Sequence, residues 1–172
     1  LQKKISNKTD KAQISQTALE NSEYIRFMSE ALRLAKLAAA RDEVPVGAVI
    51  VKDGAVIASA YNQKEKKNCA TRHAEMIAIE KAAKTTGNWW LEDCALYVTL
   101  EPCAMCAGAM ILSRIDKLFF GAYDEKTGAA GSVVNLFSEK TNHKVAVEGG
   151  IMREECAKLL SDYFKTKRKK SD

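Results

Sequence analysis

A length of 172 residues suits one domain, and 47% hydrophobic content with only two prolines is ample for a core. No apolar stretch approaches the ~18–20 residues of a membrane span, and the lysine-rich start lacks the apolar segment of a signal peptide. Neither a membrane-embedded nor a secreted class is expected, and the net charge of +5 is unevenly placed, because Lys165, Lys167, Arg168, Lys169 and Lys170 against Asp172 crowd most of it into the last eight residues.

The chain begins at Leu1 with no methionine, as a processed or truncated chain does. Residues 1–21 are polar and lysine-rich and read as a mobile arm. From Ser22 apolar residues recur at three- and four-residue intervals (Tyr24, Phe27, Met28, Ala31, Leu34, Ala35, Ala38), which predicts an amphipathic helix to about Arg41. Val44 to Lys52 and Ala55 to Tyr61 read as two strands of a hairpin turning at Asp53-Gly54. His73 opens a helix that ends near Gly87, Ala95 to Leu100 is a strand, and Cys103 to about Ser113 is a second helix. Lys117 to Gly121 is a strand, followed by a flexible loop containing Gly128-Ala129-Ala130-Gly131-Ser132. Lys144 to Glu148 reads as a short strand and Ile151 to Lys167 as the closing helix. This order predicts a mixed five-stranded sheet with helices on both faces, a three-layer α/β/α sandwich. The domain spans 22–164, and residues 165–172 form a basic tail. That tail, beside Tyr163-Phe164, is either a surface for phosphates with aromatic faces for stacking or a solvated helix end.

The chemistry lies in His73-Ala74-Glu75 and Pro102-Cys103-Ala104-Met105-Cys106. A catalytic zinc usually takes three protein ligands and keeps its fourth position for water. His73, Cys103 and Cys106 supply the three, which implies one Zn²⁺ per subunit. Two cysteines three apart at a helix start share one face, and the positive helix end favours their thiolate form. Pro102 fits a helix start, where its missing N–H costs nothing. Glu75 lies two residues from a ligand without being one, so it is free to move protons. Hydrolytic deamination of a nucleobase uses all of these parts.

A structural zinc site would normally need a fourth ligand, and no second Cys or His pair stands at ligand spacing. A redox Cys-x-x-Cys would leave His73 and Glu75 idle. His143 reads as an isolated surface or loop residue, and Cys69, Cys94 and Cys156 as ordinary reduced thiols, which fits a reducing cytoplasm.

These residues carry a family resemblance. From about Ser22 to Phe164 the chain resembles the bacterial tRNA-specific adenosine deaminases of the cytidine deaminase-like superfamily. The resemblance runs through Glu43-Val44-Pro45-Val46-Gly47-Ala48-Val49, through Leu100 to Met110 around the cysteines, and through the loop Gly121 to Ser132. It implies conversion of adenosine to inosine at the wobble position of a tRNA anticodon, by a homodimer, with no DNA or membrane partner. It further implies that Asn62 hydrogen-bonds the purine and that Asp124 contacts the anticodon loop near the flipped base. Tyr163 and Phe164 match an aromatic pair near the RNA. One departure is Asn68-Cys69-Ala70-Thr71-Arg72, where many members carry Asp-Pro. Two rival readings remain: a deaminase of a free nucleobase or nucleoside, which would share the metal motifs, and a non-catalytic zinc-stabilised RNA-binding module, which would have no use for Glu75.

Overall fold

The structure, a computed structural model, describes the backbone of residues 2–171 and the side chains of residues 21–169. Five helices and five strands follow in the order α1 (Gln2–Ala40), β1 (Gly47–Lys52), β2 (Ala55–Tyr61), α2 (Lys64–Lys67), α3 (Ala74–Thr86), β3 (Cys94–Leu100), α4 (Ala104–Leu112), β4 (Lys117–Ala122), β5 (Ala146–Gly149) and α5 (Arg153–Ser171). Each strand and long helix lies where the sequence places it. The differences are local. Helix α1 starts at Gln2 because the polar arm contains neither proline nor glycine, so helical backbone carries straight through it. Residues 165–171 continue α5 in the same way. The single turn α2 has no apolar residue and thus no periodic signal.

The sheet order is β2-β1-β3-β4-β5, with β1 antiparallel to β2 and β3, and β4 parallel to β3 and β5. Side chains alternate between its two faces. Ala48, Ile50, Leu96, Val98, Leu118 and Phe120 pack with α3 and α4 on one face. Val49, Val51, Tyr97 and Phe119 pack with α1 and α5 on the other, where Tyr97 and Phe119 stack with centroids 4.6 Å apart. The result is the predicted three-layer α/β/α sandwich with a mixed five-stranded sheet, the cytidine deaminase-like architecture. At the start of β1 the layers meet with no room for a side chain, since a Cβ on Gly47 would stand 2.1 Å from the Ala31 carbonyl oxygen.

The registers decide where a site can form. Gly47 faces Tyr61, Ala48 faces Val98, and Leu100 faces Ala122. The carboxyl ends of β2, β3 and β4 therefore lie at one edge of the sheet, beside the start of β1. Chain leaving parallel strands at their carboxyl ends is where α/β proteins build clefts. Here those exits carry Asn62, Cys103 and Asp124 respectively.

Candidate active site

His73 and Cys103 are the N-caps of α3 and α4, both in extended conformation (φ −74°, ψ 154° and φ −73°, ψ 171°). Their carbonyls accept the first helical hydrogen bonds, from Ile77 and Ala107, while their side chains stand over the helix ends. Each helix thus begins one residue later than the sequence implies, and Pro102 lies in the extended lead-in. Cys106 follows one turn along α4. His73 Nδ1 is 3.7 Å from Cys103 Sγ and 3.6 Å from Cys106 Sγ, and the sulfurs are 3.8 Å apart. This His/Cys/Cys group can hold a metal ion.

The electrostatics fit that use. Cys103 is pulled down to about 4, chiefly by its side-chain hydrogen bond with Cys106, with the His73 imidazole contributing. Cys106 is pushed up by the same contact and by burial. The hydrogen bond to Cys103 also raises His73. Glu75, in the first turn of α3, is 4% exposed, and its Oε2 is the buried side-chain oxygen or nitrogen without a partner among the described residues. Burial raises its carboxyl above the ordinary carboxylate range. A buried carboxyl with one oxygen lacking a donor is costly, and it is suited to taking up and releasing protons.

The group opens into a cleft of 580 Å³ that Asn62, His73, Glu75, Cys103, Asp124 and Phe164 help to line. All six proposed site residues are brought together: His73, Glu75, Cys103 and Cys106 at the base, Asn62 and Asp124 on the walls. Asn62 is buried and its Oδ1 accepts the Ala74 N–H at 2.8 Å, so it caps α3 beside His73. Asp124 accepts from Lys126 N–H (2.9 Å), Thr127 N–H (3.3 Å) and the Thr127 hydroxyl (2.6 Å), which shapes its own turn. Of the aromatic pair, Tyr163 donates its hydroxyl to the Asp42 carbonyl at the end of α1, while Phe164 is 46% exposed in the cleft. Within the basic tail Lys167 pairs with Asp42 at 2.7 Å. Arg72 pairs with Glu80 at 3.0 Å, and His143 sits against the Ile115 carbonyl.

Two residues that sequence reasoning passed over organise the walls. Glu43, 1% exposed, accepts the N–H groups of Glu65 and Lys66 and so holds the start of α2. Glu101 accepts from Asp124, Ala130 and Ser132, and these bonds hold its carboxyl below the ordinary range although burial alone would raise it. The loop expected to be flexible is therefore pinned, and Ala129 within it is fully buried. Glu43 precedes β1 and Glu101 follows β3, and neither position carries a periodic signal of its main-chain partners.

The MafB19-like deaminase family matches residues 22–168. A tRNA-specific adenosine deaminase of Bacillus subtilis (strain 168) is 48% identical over 145 residues, covering 84% of this chain and 90% of its own. A solved structure from studies of A-to-I editing by tRNA:A34 deaminases at the wobble position of transfer RNA superposes with a TM-score of 0.76 at 45% identity. It covers 78% of this chain and 99% of its own. A guanine deaminase from Nitrosomonas europaea superposes with a TM-score of 0.72 at 25% identity, covering 81% of this chain and 83% of its own. With a deaminase domain matched over most of its length, and with that identity to its tRNA-acting members, the chain belongs to the tRNA-specific adenosine deaminase family.

Proposed function

We propose that this chain hydrolytically deaminates adenosine to inosine at the wobble position of a tRNA anticodon, using zinc. The observation that carries the reading is the buried Glu75 carboxyl, whose Oε2 has no partner among the described residues, at the base of a cleft beside the His73/Cys103/Cys106 group. Zinc suits the donors. Bonds of about 2.3 Å to sulfur and about 2.0 Å to nitrogen in a tetrahedron give an S–S edge of about 3.8 Å and an N–S edge of about 3.5 Å. The measured edges are 3.8, 3.7 and 3.6 Å. His73, Cys103 and Cys106 would hold the zinc, which would supply a polarised and readily deprotonated water.

The chain's own residues do the rest. Glu75 Oε2 takes one proton of the attacking water and delivers it to N1 of the purine, then takes the other from the new C6 hydroxyl and gives it to the departing amine. Water replaces the amino group at C6 and ammonia leaves. Asn62 turns Oδ1 to the Ala74 N–H, which leaves its Nδ2 hydrogens to meet an acceptor on the purine edge. Asp124 meets the ribose or base beside the target, where a 2′-hydroxyl is a suitable donor. Phe164 offers a stacking face, and the exposed Lys165, Arg168 and Lys169 beyond it offer charge to the RNA backbone. Taking the base from a loop is cheaper than extruding it from a duplex. Residues 22–164 are the catalytic domain, with the arm at 1–21 and the basic tail at 165–172 as appendages.

The test is inosine formation by metal-loaded protein on an anticodon stem-loop with adenosine at the wobble position, beside free adenosine, guanine and cytosine. Conversion of the stem-loop is expected. Conversion of a free base alone would keep the hydrolytic centre and overturn the tRNA substrate.

The family also implies a homodimer. Leu112, 70% exposed at the end of α4, and the exposed Val133 and Val134 give a second copy apolar surface to cover. Sedimentation equilibrium is expected to give twice the chain mass, and a monomer at micromolar concentration would remove this assembly. All five cysteines are free, which suits a reducing cytoplasm. Among the described residues no helix is long and apolar enough to cross a membrane.

A further inference from the structure

One buried carboxylate stands at the cleft wall without a part in the chemistry above. Glu101, 2% exposed, links the last residue of β3 to Pro102-Cys103. Its Oε1 accepts the N–H groups of Ala130 (2.9 Å) and Ser132 (3.0 Å). Its Oε2 accepts the Asp124 N–H (3.0 Å) and, in a short contact, the Ser132 hydroxyl. Hydrogen bonds to an ionised acceptor are roughly twice as strong as neutral ones. The main chain joins the same clamp from the other side. Ala129 N–H donates to the Pro102 carbonyl at 2.8 Å, and Cys103 pairs with Gly128 in an isolated bridge. The approach is so close that a Cβ on Gly128 would lie 2.5 Å from both the Asp124 carbonyl oxygen and Glu101 Cδ.

A hydrophobic side chain would fill this space without requiring four donors. A carboxylate that gathers them fixes instead the position of one loop relative to one strand end. The loop carries Asp124, and the strand end carries a metal ligand.

We propose that Glu101 is a positioning residue for RNA docking: it sets the distance and angle between the Asp124 turn and the Cys103 end of the metal group, so that RNA held by the loop presents its adenosine at the reactive centre. The inference rests on the tRNA deaminase reading.

Glu101→Gln tests it. An amide places an NH₂ against at least one main-chain N–H whichever way it turns, because each carboxylate oxygen accepts from one or more of them. KM for the anticodon stem-loop is expected to rise about tenfold, with metal stoichiometry unchanged. A merely structural role would lower the active, metal-loaded fraction and leave KM alone. In the Glu101→Gln background Asp124→Ala is expected to add little further loss, because Asp124 is already displaced. Ser132→Ala removes one donor at an exposed position and is expected to raise KM about threefold; it stands as the test if Glu101→Gln does not fold. An unchanged KM in the folded variants, or fully independent effects of the Glu101 and Asp124 substitutions, would overturn the proposal. The unsubstituted protein is the control for the reading beneath it: failure there to convert the stem-loop sinks the tRNA assignment, whatever the variants do.

Discussion

Glu75→Ala is expected to lower kcat on the anticodon stem-loop by about 10⁴-fold, the upper end for a single general acid–base group, because this carboxylate serves several proton transfers in one cycle. Metal content per chain should be unchanged, since His73, Cys103 and Cys106 are intact. KM should move little, because Glu75 lies at the base of the cleft, away from the Asp124 loop. The isosteric Glu75→Gln separates lost chemistry from lost structure. It removes a buried ionisable group whose Oε2 has no partner, so it should melt no lower than the unsubstituted protein. Steady-state kinetics with metal analysis on the same preparations decides the matter. Turnover within tenfold of normal for the alanine variant would remove Glu75 from the proton-transfer role.

The second large effect falls on the metal group. Cys103→Ser should reduce bound zinc to a small fraction of one per chain and abolish detectable turnover, because two remaining protein ligands do not make a catalytic site. Stability should fall with the metal. At a free metal concentration ~1,000 times its dissociation constant, binding contributes about 4 kcal/mol to the folded state. For a domain of this size that corresponds to a melting temperature lower by about 10 °C. A chelator added to the unsubstituted protein should reproduce the shift, and should produce none in Cys103→Ser. Full metal occupancy in the variant would show that Cys103 is not a ligand.

The amino-acid pattern made most of this architecture readable. The continuous apolar runs Ala48–Val51 and Leu96–Val98, and the three- to four-residue spacing in Tyr24–Ala38, report burial directly, and burial is what the three layers require. The metal group was readable because both of its halves are short and local, each at a helix start. Glu101 and Glu43 were not. Their partners are main-chain N–H groups 22 to 31 positions away, and no side-chain pattern marks them. The same cause hid the pinning of the 128–132 loop, whose small residues look mobile until a carboxylate from another strand is brought beneath them. Asn62 and Asp124 both line the cleft, and each also shapes local backbone, which residue identity alone does not disclose.

His73 and Cys103 are 30 residues apart in the chain. Closing a flexible loop of that length costs about 3 kcal/mol in entropy, beyond a constant term. A short metal-binding peptide must meet that cost from the metal itself and stays unfolded without it. Here the ladders from β2 through β1 to β3 close the loop, and apolar packing under α3 and α4 holds it closed. An arriving ion meets a chelate whose spacing is already set, so its binding free energy goes into affinity rather than into folding. The centre is then expected to be lost and regained without unfolding the chain, as a replaceable part of a scaffold that stands without it.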